Sequence, residues 1–339
     1  MISVAVVRVA GARLRAAMTG RNHTAGTHVS RLASLLLAGS LTSCGEPPSR
    51  DAPSAGEARR LGVVLTVGDI DPDTPTRRIR LLQPLADHVA HRLASRGVVA
   101  GRVRIATDIE EMATLLRNGA VDYYVDSAFP SLRVRQLAGS RILLRRWVLG
   151  EPEYRSAIVA RADAAVGSIP DLEGGIIAMQ ERYSTSGFLL PALELIDHGF
   201  ELREVETPAA AVAPGEVGYL FSRDEENTVE MVLRGAVAAG VLSSQILDKE
   251  LPEELRESLR VVHWTPWTSR ALVSVRSDLD PALVEGLRAA LLEIDAETNA
   301  RLEVVGGEGA WSWKFDDLGD EERLQLEALE SRMALAIGD

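Results

Sequence analysis

The chain has 339 residues, 46% of them hydrophobic and 25% charged, with a formal net charge of −12. That length accommodates two domains and a large core, and the composition argues against long disordered tracts. The acidic balance argues against nucleic acid or anionic lipid headgroups as partners.

Residues 1–43 carry five arginines and no acidic residue, with the short apolar run LASLLLAGSL at 32–41. This is the pattern of a signal peptide: a positive start, an apolar stretch of 7–15 residues and small residues at the cleavage point. Leu41-Thr42-Ser43-Cys44 looks like a bacterial lipobox, which makes Cys44 the lipidated N-terminus of an extracytoplasmic, membrane-anchored protein. An ordinary secretory signal with an incidental cysteine is the alternative, and Met18 is a plausible start. Cys44 is the single cysteine, so the chain forms no internal disulfide. GEPPSRDAPSAGEARR then reads as a flexible tether over 44–60. Without residues 1–43, Lys+Arg falls from 37 to 32 against 49 Asp+Glu, a charge of about −17. An anion site must therefore work by local donors against the overall field.

From Leu61 strand-like and helix-like segments alternate. LGVVLTV (61–67) predicts a strand; a helix follows with Ile79, Leu82, Leu85, Val89 and Leu93 on one stripe and Gly97 beyond its end. VRIA (103–106) predicts a strand, and TDIEEMATLLRNG a helix opened by a Thr107–Glu110 capping box and closed at Gly119. VDYYV (121–125) and ILLRRWVL (142–149) predict strands around the short helix FPSLRVRQLAG. YRSAIVA (154–160) begins a second series. Its strands are GIIAM, EVGYLF, AVAAGVL and RVVHW, with a helix over DEENTVEMVLRG. RALVSV (270–275) and helices near 281–294 and 320–337 complete it. Such βαβ alternation predicts α/β sheets with the ligand at the carboxyl ends of strands.

One segment stands out chemically. ERYSTSGFLLP (181–191) lies between the strand GIIAM and a helical stripe of Leu189, Leu190, Leu193 and Ile196. Its hydroxyls sit at a helix N-terminus, where unpaired N–H groups and the dipole favour an anion. A helix cap with spare serines is the plain alternative.

Four stretches together resemble the phosphate/phosphite/phosphonate substrate-binding proteins of ABC importers: LLQPLADHVAHRL, MATLLRNGAVDYYV, YRSAIVARADAAVGSIPDLEGGIIAMQERYSTSGFLLP and FSRDEENTVEMVLRGAVAAGVL. The resemblance implies the two-lobed, α/β type II periplasmic-binding-protein fold, with a ligand cleft between lobes. Lobe one is expected at 61–155 plus 266–339 and lobe two at 156–265. It implies a monomeric, non-enzymatic receptor without cofactor or metal, delivering a phosphorus oxyanion to an ABC permease. The sequence departs from the family pattern at Arg223, where many relatives have histidine, and at Ala238, where many have aspartate. Ala238 leaves room for a different small anion, and a same-fold receptor that signals through a partner protein is the other reading.

Within that fold, Tyr183, Ser184, Thr185, Ser186 and Gly187 are expected to hold the ligand. Gly187 admits close backbone approach, and Tyr183 closes over an organic substituent or packs in the core. Hydroxyls and turn amides are expected to supply most of the donors without a basic side chain, with Arg223 adding a bidentate contact or pairing with Asp224 or Glu225. Asp69 and Asp126, each after a strand, either accept a P–OH proton and so reject sulfate or cap the next helix; Tyr124 and Ser127 contribute beside them. Ser184 and Ser186 lack the G-x-S-x-G context and motif-placed histidine of a hydrolase. His88 and His91 lack a partnering ligand motif for metal. Trp264, Trp267, Trp311 and Trp313 are expected to pack within the lobes, with stacking of one of them on the ligand as the alternative.

Overall fold

The computed structural model describes residues 62–306 and 313–337. The leader, Cys44, the tether and Trp311 lie outside the described residues. No described helix is long and apolar enough to cross a membrane.

The first half builds a sheet from β1 (Val63–Ile70), β2 (Val98–Ala106), β3 (Tyr123–Asp126) and β4 (Arg141–Trp147), with helices α1 (Pro75–Arg92), α2 (Ile109–Arg117) and α3 (Ala128–Ala138) between them. The chain then passes through the two-residue β5 (Glu153–Tyr154) into β6 (Ser156–Arg161), β7 (Ile176–Met179), α4 (Leu190–Asp197), β8 (Glu201–Glu204), β9 (Glu216–Phe221), α5 (Glu225–Leu233), β10 (Ala239–Ser243), α6 (Glu253–Glu257) and β11 (Leu259–Trp264). It returns through β12 (Thr268–Ser269) to β13 (Ala271–Val275), α7 (Pro281–Leu292), α8 (Ala296–Gly306), β14 (Lys314–Asp316) and α9 (Asp320–Ile337).

The strands form two six-stranded sheets, ordered β14-β4-β13-β3-β1-β2 and β11-β6-β10-β7-β9-β8. The outgoing and returning crossings pair with each other as the antiparallel ladder β5–β12. This is the two-lobed type II periplasmic-binding-protein architecture. Parallel pairing of β1 with β2 and β3, and of β7 with β9 and β10, buries the central strands on both faces, so they read as unbroken apolar runs. Their carboxyl ends open toward the gap between sheets.

One apolar cluster joins the two halves. Phe129 and Leu132 of α3, Leu190 and Leu193 of α4, and Leu326, Leu329 and Met333 of α9 belong to a single buried group. The C-terminal helix thus packs on both lobes.

Several details differ from the sequence reading. Ile79 is 42% exposed; α1 instead buries Leu81, Leu82, Leu85, Ala86, Val89 and Ala90. The stripe began one turn too early, because the first turn of α1 projects past the edge of the core. The N-cap of α2 is Asp108, whose carboxylate accepts from Glu111 N–H, while Glu111 Oε2 accepts from Thr107 N–H. The box lies one residue along from the expected Thr107–Glu110 pair, because aspartate is at least as good a cap as threonine. Neither Asp69 nor Asp126 caps a helix: the cap positions of α1 and α3 are Thr74 and Ser127.

Candidate functional site

Ser184, Thr185 and Ser186 follow β7 and enter α4 through one turn of π-helix, closed by Leu189 N–H donating to Ser184 C=O at 3.0 Å. Ser184 Oγ caps this turn by accepting from Gly187 N–H at 2.9 Å, and donates to Gln180 Oε1 at 3.0 Å. Gly187 is required for packing here. A Cβ on it would lie 2.4 Å from Gln180 Cβ and 2.8 Å from Ser184 Oγ.

Thr185 reaches across to the other lobe. Its Oγ1 accepts from Phe129 N–H at 2.8 Å and donates to Ser127 Oγ at 3.1 Å, so it caps α3 from the opposite side of the gap. Ser186 C=O accepts from Ser156 Oγ at 2.7 Å. Two helix N-termini, those of α3 and of the π-turn leading into α4, therefore converge on one place.

That place is a cleft of about 400 Å³. Lobe one contributes Asp69 at the end of β1, Asp126 and Ser127 at the end of β3, and Arg78 from α1. Arg146 and Val148 from the end of β4, with Tyr154 and Arg270 from the crossings, line the same space. Lobe two contributes Gln180, Ser184, Thr185, Ser186, Glu225 and Ser243. Six of the ten residues expected from sequence line it: Asp69, Asp126, Ser127, Ser184, Thr185 and Ser186.

The other four lie elsewhere. Tyr124 is buried behind the wall, donating its hydroxyl to Asp126 Oδ2 at 2.7 Å. Tyr183 is 38% exposed and meets Phe129 edge-on. Gly187 shapes the turn from beneath. Arg223 is exposed, with φ of 77°, and its N–H donates to Gln180 C=O at 2.9 Å. Arg223 is not among the residues that line the cleft, and it serves the loop through its backbone N–H.

Sequence reasoning missed the charged lining. Arg78, Arg146 and Arg270 bring three guanidinium groups to a cleft expected to rely on neutral donors. Arg146 is 4% exposed and lies over the buried Trp313 ring, 4.3 Å from its centroid. Burial pushes it down to about 9, Asp69 partly offsets this, and Arg78 and Arg270 push it further down. It remains cationic at neutral pH, beside two like charges. Arg270 stacks on Tyr154 at 4.3 Å and donates to Gln245 Oε1 at 2.9 Å.

Three carboxyls stand opposite. Asp69 is 3% exposed; burial pushes it up to about 7, against the pull of Arg78. Arg78 Nε lies 3.2 Å from Asp69 Oδ2 but donates to Asp71 Oδ2 at 2.7 Å. Asp126 and Glu225 are raised by burial too; Asp126 is held back by Tyr124 O–H, and Glu225 by the N–H of Ser243. The lining therefore sets three guanidinium groups against carboxyls that burial makes less acidic. No metal-binding cluster of His, Cys, Asp and Glu occurs among the described residues.

Residues 70–313 match the family model for the ABC transporter, phosphonate, periplasmic substrate-binding protein. Among solved structures, XAC2383 from Xanthomonas citri, bound to ATP, is 28% identical with a TM-score of 0.72, covering 80% of this chain and 98% of that one. A binding protein component of an ABC phosphonate transporter from Pseudomonas aeruginosa is 18% identical with a TM-score of 0.55, covering 82% and 89%. PhnD1 from Prochlorococcus marinus, in complex with methylphosphonate, is 17% identical with a TM-score of 0.56, covering 80% and 98%.

Proposed function

Because the chain belongs to the phosphonate ABC transporter periplasmic substrate-binding family, and is a substrate-binding protein rather than an enzyme, we propose that its cleft captures a phosphorus oxyanion. Phosphate, phosphite and phosphonates form the ligand class. The observation that carries this reading is the convergence of three guanidinium groups and two helix N-termini on one cleft.

Each element has a physical part. A tetrahedral oxyanion accepts hydrogen bonds in several directions, and charge-assisted bonds contribute ~1.5–3 kcal/mol apiece. Micromolar binding corresponds to about −8 kcal/mol, within reach of a few such contacts after ordering costs. The acidic body makes those local cations decisive. When ionised, Asp69 and Asp126 accept from a protonated oxyanion, a proton that sulfate at neutral pH cannot supply. The lobes, 61–155 plus 266–339 and 156–265, close over the ligand about the paired crossings β5 and β12. The protein works as a monomer, anchored outside the cytoplasm through lipid on Cys44, and delivers its ligand to an ABC permease.

A second reading has a specific motive. XAC2383 was observed with ATP, and about 400 Å³ exceeds the needs of a bare oxyanion. A phosphate ester bound by its terminal phosphoryl group would use the same cations.

Calorimetry on the chain from residue 44 onward, carrying Cys44→Ser, distinguishes these. Saturable binding of phosphate or methylphosphonate, with sulfate at least tenfold weaker, is expected. Tight binding of ATP with no response to the small oxyanions would favour the second reading, and silence toward all of them would end both. Metabolic labelling with a radioactive fatty acid, lost in Cys44→Ala, tests the anchor.

A further inference from the structure

Lobe one holds a second concavity, outside the cleft. It lies where the C-terminal end of α3, the start of β4 and the first turns of α9 meet, and its volume is about 310 Å³. The N-terminus of α3 faces the cleft, and the helix has 11 residues, so the two spaces are roughly 16 Å apart along its axis.

The lining is unusual for so acidic a chain. Arg135, Arg141 and Arg323 border the concavity, with Glu327 the one carboxylate among its lining residues. Arg135 also pairs with Glu330 at 3.1 Å, and Arg323 Nε donates to Leu318 C=O at 3.3 Å. Arg141 has no carboxylate partner among the described residues. Ile142, Leu318 and Leu326 supply an apolar floor. Beside that floor lies Ser140, 4% exposed, whose Oγ finds no hydrogen-bond partner among the described residues. A buried hydroxyl without a partner is costly, and native structures leave few of them unexplained.

We propose that this concavity is a second binding site, for a small amphipathic anion: a carboxylate or phosphate monoester carrying a short apolar chain. The guanidinium groups select the charge, and Arg geometry suits a two-oxygen head. Ser140 Oγ–H donates to the same head. The apolar chain lies over Ile142, Leu318 and Leu326, where a bare inorganic anion would leave the floor wet. The volume falls at the small-molecule end of ordinary ligand sites. The occupant bridges α3 and β4 to α9, a helix that packs on both lobes. This site stands independently of what the cleft binds.

The test is an amide-resolved NMR titration of the chain from residue 44 onward, carrying Cys44→Ser, with hexanoate, acetate and hexylammonium as probes. Hexanoate is expected to shift the amides of residues 140–142 and 323–327 saturably. Acetate should bind at least tenfold more weakly, and hexylammonium should leave those amides unmoved. Arg141 and Arg323 are exposed, so Arg141→Gln with Arg323→Gln should keep the fold and weaken hexanoate at least tenfold. Ser140→Ala should weaken it severalfold, which supplies an independent check should the double variant unfold. Equal, unsaturable responses to hexanoate and acetate, shifts confined to cleft residues, or hexanoate affinity unchanged in the variants would each overturn the proposal.

Discussion

The two walls of the cleft are built on different principles. The lobe-two wall is a contiguous turn, two of whose three hydroxyls bond within the protein: Ser184 to Gly187 and Gln180, Thr185 to Phe129 and Ser127. The opposite wall draws charge from a helix start, a strand end and a crossing, through Arg78, Arg146 and Arg270. On the proposed reading the turn supplies shape and the amides of a helix start, and the arginines supply most of the attraction. A motif that looks like a binding site in sequence can be the mould, while the force comes from residues far apart in the chain.

The largest effect should come from the charged wall. Arg146→Gln combined with Arg270→Gln removes two charge-assisted contacts, worth ~3–6 kcal/mol together, or about two to four orders of magnitude in anion affinity by calorimetry. A loss below tenfold would return the binding role to the turn. Gly187→Ala drives a Cβ into Gln180 and Ser184, and overpacking of this kind costs about 1–3 kcal/mol, visible as a lowered Tm. Thr185→Ala uncaps α3, at about 1 kcal/mol, and should loosen the contact between lobes, measured as a larger radius of gyration in X-ray scattering.

Asp69 gives a pH signature. Its folded pKa is raised from 3.8 to about 7, so the folded chain holds the proton longer than the unfolded one. Stability from this group is then fully present at low pH and declines as pH rises from about 4 through 7. Asp69→Asn should flatten that decline in urea titrations across the window. The smallest effect belongs to Arg223→Ala, expected to leave anion affinity within about twofold, since Arg223 is exposed and serves the turn by its backbone. A tenfold loss there would place its side chain in the site.

Much of the architecture was legible because it is written locally. Alternating apolar runs and helical stripes located most strands and helices, and the Ser-Thr-Ser-Gly segment pointed to the turn between β7 and α4. Elements set by tertiary context were not legible: β8 reads ELRE, with three of its four residues exposed, and β14 has three residues. Ile79 looked like core because periodicity marks a face without saying how far that face is covered. The arginines escaped for a related reason, since nothing local says that positions 78, 146 and 270 meet. One hint was present. Arg145 and Arg146 interrupt an otherwise apolar strand, and both are nearly buried: Arg145 pairs with Asp316, whereas Arg146 reaches the cleft.

The hydroxyl that Thr185 lends to α3 has an implication for the unliganded molecule. Swinging the halves apart trades the amide of Phe129 from a protein oxygen to a solvent one, an exchange that costs only about 1 kcal/mol. The shut form thus needs no guest to satisfy that helix end, and the apolar seam of Phe129, Leu190 and Met333 holds the halves together beside it. Thinning that seam by one side chain would tune how readily the jaws part, leaving every contact to the cargo intact.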